Sequence, residues 1–509
     1  MTMTRYLITL ALGPVQSLIE AARRTRDLWC GSWLLSEAAR AAALVLHEQQ
    51  PGCLIFPCPA DPAELQPQQE PRDDANIANI LRAELLLPDD AAARELCARA
   101  KAAAASRLAD LGANASGKLR AQLRAEVWEA QIGDILEGFA AWSKIPDRPD
   151  GYTLASERLG ATLAARKATR DCRPCAPLAA EGLPKSSLDG ALETVLPEHW
   201  NNQQHARRQL GLSRGEQLDT LGVMKRLAGK PEQFTAYSRI AADPWIRSLS
   251  PEQQQALRQA YEPLFDKGLA TGVSGNQDCY AALPYDAQML YDFRLENALS
   301  AKGDEALAPD EDGMLRNLRE VMRGLPGAPV PYAAILKADG DHMGEILSRA
   351  DSADRSREVS RRLHDFACEV RQRVRDHRGH AIYAGGDDVL ALVPLTDAVP
   401  CARALADAFR NALAPVANAL SLKPNCRPTL SVGLGIGHLM EPLGALRARA
   451  NRAEKLAKGD GLGDDKTRNA LAIILGIRSG GELKRRAQWP DAALKHDRVT
   501  AVTARTGGG

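Results

Sequence analysis

The sequence predicts an α+β fold of about three domains, the last a ferredoxin-like βαββαβ unit with one further strand. Three observations lead there. The chain has 509 residues, enough for several cores at about 100 to 200 residues per domain. Hydrophobic residues make up 45% and charged residues 25%, the balance of an ordinary globular protein. Toward the C-terminus, short apolar runs alternate with longer runs of helical period, and glycine separates them.

Taken in order, Tyr6 to Leu12 reads as a strand, Gly13-Pro14 as a turn, and Val15 to Leu28 as a helix. A second helix spans Trp33 to His47, Cys53 to Phe56 is a short strand, and the Pro- and Gln-rich Pro57 to Pro71 is a loop. Alanine-rich helices fill most of Ala75 to Trp142 as an insertion, so the first domain covers 1–145. Residues 146–230 are richer in Pro, Gly and polar side chains and form a small irregular domain carrying the Cys172/Cys175 pair. Residues 231–325 are a helical bridging region, and Gly324 to Pro331 is a linker.

The final domain, 326–481, is the most sharply punctuated. Tyr332 to Asp339 is a strand, and a helical pattern with a break near Ser352 runs from Met343 to about Arg378. His380 to Ala384 and Val389 to Leu395 flank Gly385-Gly386-Asp387-Asp388, a hairpin signal. Ala398 to Leu420 is a helix, Thr429 to His438 a strand, Leu443 to Lys458 a helix and Ala470 to Ile477 a strand. Residues 482–509 read as a tail.

Composition excludes several classes. The apolar stretches, such as Leu471 to Leu475, fall far short of the roughly 18 residues of a membrane span. The N-terminus lacks the pattern of a secretory signal, and ten scattered cysteines suit reduced thiols, so a cytoplasmic location is expected. The 65 basic and 64 acidic residues leave a net charge of +1, so nucleic-acid contact is expected through local patches or partners. Arg23, Arg24 and Arg26, and His205, Arg207 and Arg208, are candidate patches for RNA or protein, with solvated helix faces as the other reading.

The chemistry concentrates in two acidic motifs. Asp339-Gly340-Asp341-His342-Met343-Gly344 sits where a buried strand gives way to a helix, and Gly386-Asp387-Asp388 sits at the hairpin tip. In a βαββ sheet these neighbours converge. Taken singly, Asp339 reads as a helix cap and the second motif as a turn. Their pairing favours a metal site, because gathered carboxylates repel unless a divalent cation neutralises them, and oxygen-only ligands suit Mg²⁺ or Mn²⁺. Two such ions on Asp339, Asp387 and Asp388, with Asp341 either as an auxiliary ligand or as a support behind the ligands, are the arrangement for nucleotidyl transfer. Gly385 and Gly386 let the main chain approach a triphosphate. Lys458, and after it Lys455, would reach the phosphates. Both also read as solvated lysines at a helix C-terminus.

The sequence resembles the large palm-polymerase subunit of type III-B CRISPR effector complexes, the Cmr type. The likeness rests on Leu12-Gly13-Pro14-Val15-Gln16-Ser17 with Arg23-Arg24-Thr25-Arg26-Asp27-Leu28-Trp29 and Gly31-Ser32, on the Asp339 motif, and on Gly385-Gly386-Asp387-Asp388. The stretch Leu471 to Gly480 adds to it. The resemblance implies two ferredoxin-like palms, the first non-catalytic and the second holding the metals on Asp339, Asp387 and Asp388. It also implies that target RNA, bound by the assembled subunits and CRISPR RNA, switches on conversion of ATP into cyclic oligoadenylate or a related AMP conjugate.

Departures from the family pattern set further expectations. The chain starts directly in the first palm rather than in a histidine-aspartate nuclease domain, so DNA cleavage is not expected. His364-Asp365 reads as a solvated helix face. Only Cys172 and Cys175 form a knuckle pair, with Asp219 and Gly222 where a second pair would stand. A mixed zinc site completed by His199, His205 or Asp219 and a metal-free knuckle are equally open. The C-terminal helical domain of the family is expected to be essentially absent, either as a natural minimal form or through truncation. A catalytically idle scaffold in the same complex and a stand-alone cyclase of the diguanylate type are the rival functions.

Overall fold

The computed structural model describes residues 3–68, 77–119, 123–169, 180–200, 203–213, 215–229, 233–273, 277–302, 306–423, 426–459, 467–478 and 480–489. The N-terminal half runs β1 (Thr4–Gly13), α1 (Val15–Glu20), α2 (Thr25–Gln49), β2 (Leu54–Phe56), β3 (Ile80–Leu87), α3 (Asp90–Gly117), α4 (Ala125–Ile132) and β4 (Glu137–Lys144). Its four-stranded sheet has the order β2-β3-β1-β4, with β1 antiparallel to both neighbours. This is the ferredoxin-like βαββαβ arrangement. The alanine-rich stretch expected to be helical also contains the strands β3 and β4, and β3 alternates buried and exposed positions.

Between the halves lie α5 (Gly151–Ala168), α6 (Gln204–Leu210), α7 (Thr220–Leu227), α8 (Tyr237–Ser248), α9 (Pro251–Asp266), α10 (Gln277–Tyr280), α11 (Asp292–Leu299) and α12 (Pro309–Arg323). The stretch expected to be irregular therefore holds helices, α5 the longest. Asp219 is the N-cap of α7, accepting from the Gly222 amide at 2.6 Å, and burial pushes its carboxyl up to about 6. The place read as a degenerate knuckle is thus a helix start. His199 and His205 are exposed. Cys172 and Cys175 lie outside the described residues.

The C-terminal half follows as β5 (Tyr332–Gly340), α13 (Met343–Arg349), α14 (Ala353–Asp376), β6 (His380–Gly385), β7 (Asp388–Val393), α15 (Ala398–Ala419), β8 (Leu430–His438), α16 (Leu443–Lys458), β9 (Ala470–Gly476) and β10 (Glu482–Gln488). The sheet order is β10-β9-β8-β5-β7-β6, so its last four strands repeat the order of the first sheet. β9 joins β8 in parallel, and β10, read from the sequence as tail, pairs antiparallel with β9. The two palms of the expected α+β fold are both present.

One face of the second sheet is covered by α14 and α15, with Phe366 and Phe409 meeting edge to face at 5.0 Å. The other face carries α16, seated almost on the strand. Gly433, Gly435 and Gly437 alternate along β8, and a Cβ at Gly433 would lie 2.1 Å from the Glu454 backbone nitrogen. The same face looks toward the first palm, whose α2 is buried for most of its length between its own sheet and β6. In return α14 packs on β2, where Tyr152 donates to Ser356 at 2.9 Å and His364 meets Glu64 at 3.0 Å. His364 is therefore an interdomain contact, not a solvated residue.

Among the described residues no helix is long and apolar enough to cross a membrane.

Candidate functional site

Strand register builds the site. β5 runs antiparallel to β7 with Ala338 opposite Val389, which brings Asp339 beside Asp388. Asp387 occupies the turn between β6 and β7, where Gly386 adopts φ +64°, a conformation that costs glycine no steric strain. The Gly340 amide donates to the Asp387 carbonyl at 3.1 Å. A Cβ on Gly340 would lie 2.7 Å from the Asp387 Cβ, so glycine is what lets the strand end and hairpin tip meet.

Asp339 does not cap the following helix. The N-cap of α13 is His342, and it makes no side-chain capping bond. The Asp339 carboxylate instead receives the ammonium of Lys458 at the end of α16, and Lys458 lies 3.5 Å from Glu454. Asp388 faces Lys337 at 3.6 Å. Burial, with Asp339 next in weight, pushes the Asp387 carboxyl up to about 7. Burial also raises Asp388, with Lys337 opposing.

Asp341 stands apart. It is 1% exposed and accepts from Thr429 at 2.8 Å, from Ser431 at 2.9 Å and from the Asn469 amide at 3.0 Å. Both oxygens are already committed, so it anchors β5 to β8 and the start of β9 rather than serving as an auxiliary ligand. Lys455 is exposed, and α16 brings Lys458 to the acids instead. Lys337 and Glu454 escaped the sequence reading. The signal for Lys337 was an isolated cation in an apolar strand, two residues before Asp339 and on the same face.

A cavity of about 150 Å³ adjoins Asp388 between the palms. Lys337, Tyr383 and Arg447 line it from the second palm, and Ser32, Ser36 and Asn79 from the first. Among the described residues no three metal-ligating side chains are already closed round a common point. Asp339 is held by Lys458, and Asp388 faces Lys337. The donor set still fits a hard divalent cation, being all oxygen and carrying a carboxyl that ionises with difficulty when no added positive charge is present.

Two family models match the chain in order. The model for the Cmr2 N-terminal region covers residues 7–113, and that for the second palm domain of Cas10/Cmr2 covers 332–472. The Cmr subunit Cmr2 of a CRISPR system from Pyrococcus furiosus is 29% identical over an alignment of 232 residues that covers 38% of this chain and 24% of the relative. The match therefore spans about a quarter of that relative's length. A type III-B Cmr-beta structure in the apo state superposes with a TM-score of 0.65 at 13% identity, covering 92% of this chain and 69% of the other. A Cmr-beta structure bound to cognate target RNA gives 0.60 at 12% identity, covering 96% and 72%. At these identities the structures speak for the fold alone, two palm domains in an α+β arrangement. The N-terminal match falls on the first sheet and the palm match on the sheet that carries the aspartates, so over these two regions the chain is similar to Cmr2-type subunits of CRISPR systems.

Proposed function

We propose that this chain converts ATP into a signalling nucleotide, a cyclic oligoadenylate or an AMP conjugate, as the palm subunit of a type III-B RNA-guided defence complex. The observation that carries this reading is the nearness of Asp339, Asp387 and Asp388 to one another and to Lys458, with Asp388 bordering an interdomain cavity. In the reaction a ribose 3′-hydroxyl loses its proton, its oxygen bonds to the α-phosphorus of an ATP, and the bond to pyrophosphate breaks. Mg²⁺ or Mn²⁺ ions on the three aspartates would supply activation of the hydroxyl and neutralisation of the pyrophosphate.

The chain's own residues do the rest. Lys458, once freed from Asp339, would hold triphosphate oxygens; Gly386 has open space around it for phosphates at the tip, and Gly385 makes room for the Tyr383 ring. Walls contributed by both palms would fix the base and exclude water. CRISPR RNA, target RNA and other Cmr-type subunits are the proposed partners, supported by the Cmr-beta assemblies among the structural relatives, one of them bound to cognate target RNA.

The test is incubation with labelled ATP and Mg²⁺, with and without partner subunits, CRISPR RNA and target RNA, repeated with Asp387→Ala plus Asp388→Ala. A nucleotide product lost in the double variant is expected. Product that survives the double substitution overturns the site, and no product under any condition favours an idle scaffold. GTP in place of ATP separates the diguanylate-type reading.

A further inference from the structure

A second cavity, of about 580 Å³, opens where the start of α2 meets the bridging helices and the start of α16. Its size falls in the range of about 300 to 1,000 Å³ that small-ligand sites occupy. Five arginines line it: Arg23, Arg24, Arg26, Arg226 and Arg294. Two have carboxylate partners, Arg226 on Asp27 at 2.5 Å and Arg23 on Glu216 at 3.0 Å.

Among the described residues the other three have no carboxylate within ion-pair distance. Their guanidinium groups rest on neutral acceptors: Arg24 on the Gly211 carbonyl, Arg26 on the Gly229 carbonyl at 3.1 Å, and Arg294 on Gln288 at 2.8 Å. The Nε atoms of Arg26 and Arg294 are buried and lack any acceptor. A buried donor left unpaired is costly, and uncompensated buried positive charge more so. Burial pushes Arg26 down to about 10, the direction expected of a cation lacking its counter-charge.

Guanidinium forks match phosphate oxygens in pairs. Aromatic surface is at hand as well: Phe234 lies under Arg26 at 5.3 Å, and Phe265, 38% exposed, lines the same cavity. A phosphate group beside exposed aromatic surface is the signature of a nucleotide rather than of an acidic peptide. The cavity is separate from the aspartates. The first turn of α16 borders it, whereas Lys458 at the far end of that 16-residue helix touches Asp339, a span of about 24 Å.

We propose that this arginine cleft is a binding site for a nucleotide phosphate, carried either by the end of an RNA strand or by a free nucleotide, and distinct from the acidic centre. The test uses the full chain, without ATP, and fluorescent ten-nucleotide RNAs bearing a 5′-phosphate or a 5′-hydroxyl, with AMP and a glutamate-rich peptide as competitors. Arg26→Gln plus Arg294→Gln should weaken nucleotide binding roughly tenfold or more and lower its salt dependence. Asp387→Ala plus Asp388→Ala should leave it unchanged.

A preference for the 5′-phosphate strand that AMP does not compete identifies the strand end, and displacement by AMP identifies the free nucleotide. Should the double arginine variant fail to fold, Arg24→Gln at the cleft rim serves in its place. Undiminished binding in the arginine variants, loss of binding in the aspartate variant, competition by the acidic peptide alone, or no binding of RNA or AMP each overturns the proposal.

Discussion

Asp387 shows how this site couples charge to stability. Its carboxyl is raised from 3.8 to about 7 in the folded chain, so between those values the folded state holds a proton that the unfolded chain has lost. The stabilisation is complete below the unfolded value and fades as pH rises through the folded one. Melting temperature in a chelator should therefore fall between about pH 4 and pH 7, and Mg²⁺ or Mn²⁺ should raise it more at pH 8 than at pH 5. Asp387→Asn should flatten both responses; an equal metal-induced shift in that variant would remove Asp387 from the ligand set. Lys458 gives the complementary experiment. Lys458→Met should let the nucleotide-free chain bind Mn²⁺ at lower concentration yet cut turnover on the order of 100-fold, while Lys455→Met, at an exposed position, should change neither. The three aspartates were legible in the sequence because acids interrupting apolar runs at two turns are chemically conspicuous. The hydrogen-bond partners of Asp341 were not, because Thr429, Ser431 and Asn469 reach it from distant parts of the chain.

At the scale of elements, the seat of α16 on β8 is the contact that sets the position of Lys458. Gly433→Ala would drive a methyl group to 2.1 Å from helix backbone, which cannot rotate away, and should cost at least about 1 to 3 kcal/mol in urea unfolding. Gly444→Ala, an exposed position in the same helix with open space around it, should instead stabilise by about 0.4 to 1 kcal/mol. If both variants cost the same, close approach is not what the glycine provides. Strands flanking the hairpin were readable because continuous apolar runs between turn residues have few other uses. β4 was hidden because most of its positions are half-exposed and follow alanine-rich helices. β10 was hidden because an edge strand carrying Lys484, Arg485 and Arg486 looks like solvated tail until its pairing with β9 is seen.

Across the whole molecule, the bridging region grips the second palm at the end of the hairpin remote from its tip. Asp243, fully buried on α8, accepts from Arg239 at 2.8 Å and from Arg378 at 3.1 Å just before β6, and Arg247 on the same helix pairs with Asp397 at 2.6 Å beyond β7. Asp243→Asn leaves buried guanidinium groups short of a counter-charge. It should cost about 3 to 5 kcal/mol and make unfolding of the second palm separable from the rest in a denaturant series followed by limited proteolysis. A single cooperative transition at wild-type stability would show that the grip is incidental. The bare face of β8 also bears on how other chains of this shape are to be recognised. Alternating glycines at 433, 435 and 437 answer to geometry alone, since the helix must lie on the strand whether or not anything reacts nearby. The aspartates at 339, 387 and 388 answer to charge. A descendant that gave up chemistry but kept its architecture should therefore lose the acids and retain the glycines, so the two patterns, scored separately, would distinguish retired copies of the fold from working ones.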